Sequence, residues 1–291
     1  MLGVLLPDDV RPADAAVPVW TDPQEADLDR VGFYVPRYLG PPSDLALVAG
    51  MPQLQVVQLL TAGYDHARPH VPAGVTLANA AGVHDASTAE LTLALMLASL
   101  RGIDDFARAM PAGEWRAGRR AALADRTVVI VGAGGVGRSV ADRVRAFEAS
   151  PVLVARTARP GVRGAEDLPD LLPTADVVVL AVPLTEETRG LVDAGFLARM
   201  RDGALLVNVA RGPVVDTPAL LAEAGRIAAA LDVTDPEPLP PDHPLWRAPG
   251  VLISPHVGGN TSAFLPRARR LVADQVGRWV RGEPILHVVS T

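Results

Sequence analysis

The stretch from Thr127 to Phe147 constrains this chain more than any other. Thr127-Val128-Val129-Ile130-Val131 is a short, continuous, β-branched run, the pattern of a parallel strand buried on both faces. It runs at once into Gly132-Ala133-Gly134-Gly135-Val136-Gly137, and a helix is predicted from Arg138 to about Phe147. Strand, glycine turn and helix in that order fit the start of a nucleotide-binding βαβ unit. Gly132 permits the tight turn, Gly134 lets the backbone approach a pyrophosphate, and Gly137 lets helix and strand pack closely. The exposed N–H groups of the turn, those of Gly135 and Val136 included, then favour the anion together with the helix dipole. A glycine-rich turn standing alone serves equally as a plain turn. The flanking strand and helix are what point to a dinucleotide.

Further runs repeat the alternation. Strands are predicted at Pro151–Ala155, Val177–Val182, Ala204–Val209, Ala229–Val233 and Val251–Ser254, with helical segments such as Gly195–Met200 and Pro218–Ala224 between them. Repeated strand–helix–strand units imply a doubly wound parallel sheet, an α/β fold, over residues 100–260. Earlier in the chain, Gly3–Leu6, Phe33–Val35, Leu54–Leu60 and Val75–Ala78 read as strands separated by Pro/Gly-rich turns. Ser87-Thr88-Ala89-Glu90 has capping-box spacing and opens a helix through Leu91–Leu100. The alternative for Ser87 or Thr88 is a polar contact to a phosphate. Residues 1–99 and 261–291 are expected to form one domain, and 100–260 the dinucleotide-binding domain.

The end of the strand after the glycine turn bears on which dinucleotide is taken. NAD enzymes place an Asp or Glu there for the adenosine ribose. Here Ala155 holds that position, and Arg156-Thr157-Ala158-Arg159 follows. With no carboxylate to repel a 2′-phosphate and guanidinium groups to bind it, NADP(H) is the expected cofactor, with NAD(H) possible. The competing reading makes Arg156 and Arg159 ordinary solvated loop residues.

Composition removes several other chemistries. The chain contains no cysteine and no lysine, so every one of its 27 basic residues is Arg. That excludes thiolate metal sites, cysteine nucleophiles, Schiff-base chemistry, the phosphate-loop lysine and a Tyr-x-x-x-Lys pair. No H-E-x-x-H or Cys/His grid marks a metal site, and none is expected. Acid–base work near neutral pH falls to one of six histidines: His66, His70, His84, His243, His256 and His287. Net charge is −6, with no basic run to suggest a nucleic-acid partner. The residues before Asp9 lack a basic n-region, and no apolar stretch approaches the ~18 residues needed to span a bilayer. A cytoplasmic protein without a membrane partner is expected.

Six segments, in order, resemble the D-2-hydroxyacid dehydrogenase family. They are Asn79–Arg101, Val182-Pro183-Leu184-Thr185-Glu186-Glu187-Thr188-Arg189-Gly190, Asn208–Asp216 around Ala210-Arg211-Gly212, Leu231–Pro238, His243-Pro244-Leu245-Trp246, and Ser254-Pro255-His256-Val257-Gly258-Gly259. The resemblance covers at least residues 54–260. It implies a Rossmann-type cofactor domain and a smaller flavodoxin-like substrate domain, both doubly wound, with a cleft between them, and usually a homodimer. It assigns Arg211 to the substrate carboxylate and to polarising the reacting carbonyl. His256 becomes the general acid–base, with Glu237 fixing the imidazole and favouring its protonated form. Asp232 would contact the nicotinamide amide. Val182, Pro183, Thr188, Val209, Ala210, Gly258 and Gly259 are carried over as cofactor contacts. Thr61-Ala62-Gly63-Tyr64-Asp65 resembles the loop whose N–H groups, here those of Ala62 and Gly63, hold the substrate carboxylate. Tyr64 and Arg68 are candidates for lining the pocket.

Two departures stand out. Ala224–Asp232 is shorter than the family pattern, which predicts a trimmed helix with Asp232 still in place. With the sequence ending at Thr291, the regulatory domain of some phosphoglycerate dehydrogenases is not expected. The main expectation is NADPH-linked reduction of a short 2-keto acid, glyoxylate or hydroxypyruvate first. The alternatives are 3-phosphoglycerate oxidation and a dinucleotide-sensing corepressor, which would retain the same Arg–Glu–His set.

Overall fold

The computed structural model describes residues 1–289; Ser290 and Thr291, the last two of the expected substrate-binding domain, lie outside the described residues. The strands are β1 (Gly3–Leu5), β2 (Val19–Trp20), β3 (Val31–Tyr34), β4 (Val56–Gln58), β5 (Thr76–Ala78), β6 (Thr127–Val131), β7 (Ser150–Ala155), β8 (Arg163–Gly164), β9 (Val177–Leu180), β10 (Leu205–Asn208), β11 (Ala228–Leu231) and β12 (Val251–Ile253). The α-helices are α1 (Pro42–Ala46), α2 (Asp85–Arg101), α3 (Ile103–Ala109), α4 (Gly135–Ala146), α5 (Leu168–Leu171), α6 (Ala194–Arg199), α7 (Thr217–Ala222) and α8 (Phe264–Arg281). The chain divides into two compact units: Met1–His84 with the residues from Thr261 onward, and Asp85–Asn260.

The first unit is built on a parallel sheet in the order β2-β1-β3-β4-β5, the flavodoxin-like arrangement. Helix α8 joins it because Phe264, Ala268, Val272 and Val276 recur every fourth residue and bury one face of the helix against Val4, Phe33 and Val56. Two wholly buried amides fix that docking: Gln275 Nε2 donates to Gln58 Oε1 at 2.7 Å. His84, one of the candidate histidines, packs here beside Tyr38 and Phe264 at 5.6 and 5.4 Å, with Nε2 2.7 Å from the Leu60 carbonyl oxygen.

The second unit carries a parallel sheet in the order β12-β11-β10-β9-β6-β7-β8. The β-branched run of β6 explains why both faces are covered. Val128 and Ile130 join Val140, Val144 and Met96 in one core, while Val129 and Val131 join Leu172, Leu197 and Leu206 in the other. Side chains alternate across a strand, so a continuous apolar run feeds two cores at once. Full burial of each such Val or Ile contributes about 1.5–3 kcal/mol.

Three expectations about the helices are corrected. Helix α2 was expected with residues 1–99, but it belongs to the second unit, because Ala89, Leu93 and Met96 pack with Val140, Val144 and Ile130. It also begins at Asp85 rather than at a Ser87 cap, so Ser87 and Thr88 lie inside its first turns and are buried. Helix α4 starts at Gly135, earlier than the predicted Arg138, because the glycine turn itself supplies its first turn. The two-residue strands β2 and β8 lie at sheet edges and carry no periodic signal. Among the described residues, no helix is long and apolar enough to cross a membrane.

Candidate active site

All strands of the second sheet run parallel, so their carboxyl ends share one edge. The chain passes from β6 to β7 and β8 on one side, then returns to β9 on the other side of β6. That reversal is a topological switch point, where open α/β sheets bind their ligands.

The glycine turn lies there. Gly132 has φ +119°, and a Cβ on it would collide with the Ala181 carbonyl that follows β9. A Cβ at Gly137 would strike the Gly132 carbonyl, so helix and turn are in backbone contact. Above Gly134, by contrast, nothing lies within 4 Å of a Cβ position, and that residue and Gly135 are exposed at the N-terminus of α4. Open space over Gly134 at a helix N-terminus fits a pyrophosphate. Val136 is half-buried beside them.

Strand β7 ends at Ala155, and Arg156, Thr157 and Arg159 beyond it are exposed. The Arg159 guanidinium reaches back to the glycine turn, with Nη2 donating to the Ala133 carbonyl at 3.4 Å. The loop after β9 holds Val182, Pro183 and Thr188. There the Thr188 hydroxyl donates to the Pro183 carbonyl at 2.7 Å and accepts from Thr185 N–H at 2.8 Å. Thr188 therefore shapes this loop. The Glu187 carboxyl is held below the usual carboxylate range by the Thr185 hydroxyl first, with a smaller pull from Arg156.

Arg211 leaves the end of β10 on a turn built by Asn208. The buried Asn208 amide accepts from Ala210 N–H at 3.0 Å and donates to the Arg211 carbonyl at 3.0 Å. Arg211 itself is half-buried, and its Nη1 donates to the Ala210 carbonyl at 2.8 Å. Sequence reasoning missed Asn208, although an Asn at a strand end ahead of Arg-Gly is the usual signal of a side chain that completes a turn. Val209 is half-buried and Ala210 buried on this turn.

Past β11 and β12 the chain brings Glu237 to His256. Nδ1 of His256 lies 2.5 Å from Glu237 Oε1, with the two side chains 38% and 40% exposed. Burial pushes the Glu237 carboxyl up, but the hydrogen bond and charge of His256, a bond from the Thr234 backbone and the charge of Arg211 together outweigh it. The net shift is downward, so Glu237 stays an anion below the usual carboxylate range. By linkage, the stability this pair contributes is present above that range and is lost as pH falls through the lowered value. Solvent exposure keeps the contribution small. Arg211, Glu237 and His256 are thus brought to one edge of one sheet.

Asp232 is placed otherwise than a simple ligand. Its carboxylate is buried and accepts from the Ser254 hydroxyl, Val257 N–H and Gly258 N–H. Gly258 is buried and Gly259 half-buried just beyond. His243, by comparison, caps the short turn Pro244–Arg247, its Nδ1 accepting from Leu245 N–H at 3.3 Å. In the first unit, Ala62 and Gly63 lie in the loop after β4, which Asn79 braces by donating from Nδ2 to the Ala62 carbonyl at 2.7 Å.

Residues 93–258 match the family described as "D-isomer specific 2-hydroxyacid dehydrogenase, NAD binding domain". The chain is 33% identical over 290 residues to the glyoxylate reductase of Korarchaeum cryptofilum, covering 94% of this chain and 82% of that protein. It is 35% identical over 228 residues to the D-3-phosphoglycerate dehydrogenase of Archaeoglobus fulgidus, covering 75% of this chain. The alignment takes in 43% of that relative, so the chain spans less than half its length. Among solved structures, the NADPH-dependent glyoxylate/hydroxypyruvate reductase of Sinorhizobium meliloti, in complex with NADP and sulfate, superposes with a TM-score of 0.86 at 28% identity. That match covers 100% of this chain and 98% of the other. The chain belongs to the D-isomer-specific 2-hydroxyacid dehydrogenase family.

Proposed function

We propose that this protein is an NADP(H)-linked reductase of short 2-keto acids, yielding D-2-hydroxy acids. The observation that carries the reading is the Glu237–His256 pair at 2.5 Å, with the Arg211 charge acting on Glu237 at the same sheet edge. When bound, a reduced nicotinamide supplies the hydride. The protein's residues do the rest. Arg211 binds the substrate carboxylate with its planar guanidinium and draws electron density from the neighbouring carbonyl. His256 donates a proton to the carbonyl oxygen, and Glu237 orients the ring and compensates its positive charge. In the first unit, the N–H groups of Ala62 and Gly63 are assigned to the substrate carboxylate. Among the relatives, the A. fulgidus 3-phosphoglycerate dehydrogenase favours a phosphorylated substrate as second reading. Assaying 3-phosphoglycerate beside plain hydroxy acids separates the two.

The missing acid after β7 and the Arg156–Arg159 segment support NADP(H). Gly132, Gly134, Gly135, Val136 and Gly137 are assigned to the pyrophosphate. Val182, Pro183, Thr188, Val209, Ala210, Asp232, Gly258 and Gly259 remain the proposed cofactor contacts, with Thr157 beside the ribose. Removing both guanidiniums (Arg156→Ala with Arg159→Ala) is expected to raise KM for NADPH about thirtyfold while changing KM for NADH less than about threefold. Equal effects on the two cofactors, or none, would count against the assignment.

We further place the protein in the cytoplasm as a homodimer. Trp115 is 94% exposed, Met110 76% and Ile103 51%, within a segment whose residues 111–120 are all exposed. Apolar side chains that prominent fit a partner surface, and a second copy is the simplest one. Trp115→Glu is expected to convert dimer to monomer in sedimentation velocity. An unchanged dimer, or a monomeric wild type, would remove this element of the account.

A further inference from the structure

The segment that carries His256 has an unusual backbone. His256 has φ +52°, in the left-handed region. Left-handed geometry disfavours a residue with a Cβ by about 1–2 kcal/mol, and such conformations persist only where the surroundings over-determine them. Asp232 is what over-determines this one. Its main-chain carbonyl accepts from His256 N–H at 2.7 Å. Its Oδ1 accepts from the Ser254 hydroxyl at 2.6 Å and from Val257 N–H at 3.0 Å, and its Oδ2 accepts from Gly258 N–H at 2.9 Å. A single residue at the end of β11 therefore holds the chain before His256, at His256 and for two residues beyond it. The carboxylate is 3% exposed, so these bonds are little contested by water.

We infer that Asp232 and Ser254 form a clamp that positions the His256 imidazole, and that Ser254 is a positioning residue for proton transfer. The inference rests on the acid–base reading of His256 given above. It also changes what Asp232 does. A carboxylate offers about four acceptor sites, and the turn takes three of them, leaving one to share with a nicotinamide amide. Charge and shape matter together here. Both carboxylate oxygens accept from backbone N–H groups, so the isosteric Asp232→Asn must turn its NH2 toward one of those donors whichever way it flips. The amide cannot replace the carboxylate, and a buried donor is left facing a donor. Ser254→Ala is gentler, because it deletes one bond and leaves the two backbone donors in place.

The test uses the intact protein with NADPH and glyoxylate or hydroxypyruvate. Misplacing a catalytic group by an ångström costs up to about a hundredfold, and losing an outer hydrogen-bonding partner about ten- to a hundredfold. Ser254→Ala is therefore expected to lower kcat about tenfold and Asp232→Asn about a hundredfold, while the Ser254→Ala Kd for NADPH moves less than about threefold. Ser254→Thr, which restores the hydroxyl, should return kcat to within about threefold of wild type. Heteronuclear NMR of the imidazole nitrogens, with the His256 signal assigned by its absence in His256→Asn, gives a readout without turnover. The His256 signal is expected to shift or broaden in Ser254→Ala, with thermal stability little changed. An unchanged His256 signal overturns the clamp. So does a loss of NADPH affinity in Ser254→Ala as large as its loss of kcat, which would make the turn a support for the cofactor and not for the imidazole. If the wild type reduces no 2-keto acid, the functional reading falls, and the NMR result still decides the clamp either way.

Discussion

Replacing His256 with asparagine is expected to lower kcat for 2-keto acid reduction about a thousandfold, within the usual range for loss of a general acid–base. Asparagine is the informative substitution because it tolerates the left-handed backbone that His256 adopts, at φ +52°. Alanine would confound loss of the proton donor with strain in the turn. Folding is therefore expected to survive, with circular dichroism unchanged and Tm within a few degrees. A variant retaining more than about a tenth of wild-type kcat would remove His256 from the proton-transfer step. The pH profile carries the complementary prediction. Reduction consumes a proton, so its rate should decline on the alkaline side, and the reverse oxidation should decline on the acid side. The Glu237 carboxylate, held anionic below the usual range, lies 2.5 Å from Nδ1 of His256. Glu237→Gln, which keeps the shape and removes the charge that holds the ring, should lower kcat about tenfold or more. A kcat within about threefold of wild type would mean that Glu237 does not act through His256.

The second large effect is expected at Arg211. Arg211→Ala should reduce kcat/KM for glyoxylate about a thousandfold, through both terms, because one group is asked to bind the carboxylate and polarise the carbonyl. Arg211→Lys keeps the charge and loses the planar pair of donors, and about a hundredfold loss is expected. Added guanidinium ion should partly restore the alanine variant. The Asn208 brace makes the lysine result interpretable, since it bonds to the backbone of residues 210 and 211 and stays intact in either variant. A change confined to KM would leave Arg211 a binding residue only.

Much of this architecture was legible from residue patterns. A β-branched run such as Val128–Val131 can satisfy burial on two faces only inside a parallel sheet, and the glycines after it fix where the sheet turns into a helix. Arg211, Glu237 and His256 were singled out by the family resemblance of the segments that carry them, and each segment lies past the end of a strand. Other features depended on tertiary packing. The spacing Ser87–Glu90 resembles a cap, yet α2 begins at Asp85, because burial against α4 outweighs local capping preference. Its assignment to the second unit was equally hidden, since a helix pattern shows which face is apolar but not which sheet receives it. Strands of two residues, such as Val19–Trp20, are too short for any period to appear. Asp232 illustrates the limit within the site. An acid at a strand end reads as a ligand, and only the path of the Ser254–Gly258 turn reveals that its oxygens are already bonded.

The measurement that bears most directly on the central claim is the product formed from hydroxypyruvate and NADPH. Stoichiometric NADPH consumption and formation of D-glycerate are expected, both abolished in His256→Asn and Arg211→Ala. Absence of turnover with every short 2-keto acid offered, or formation of the L-isomer, would contradict that claim.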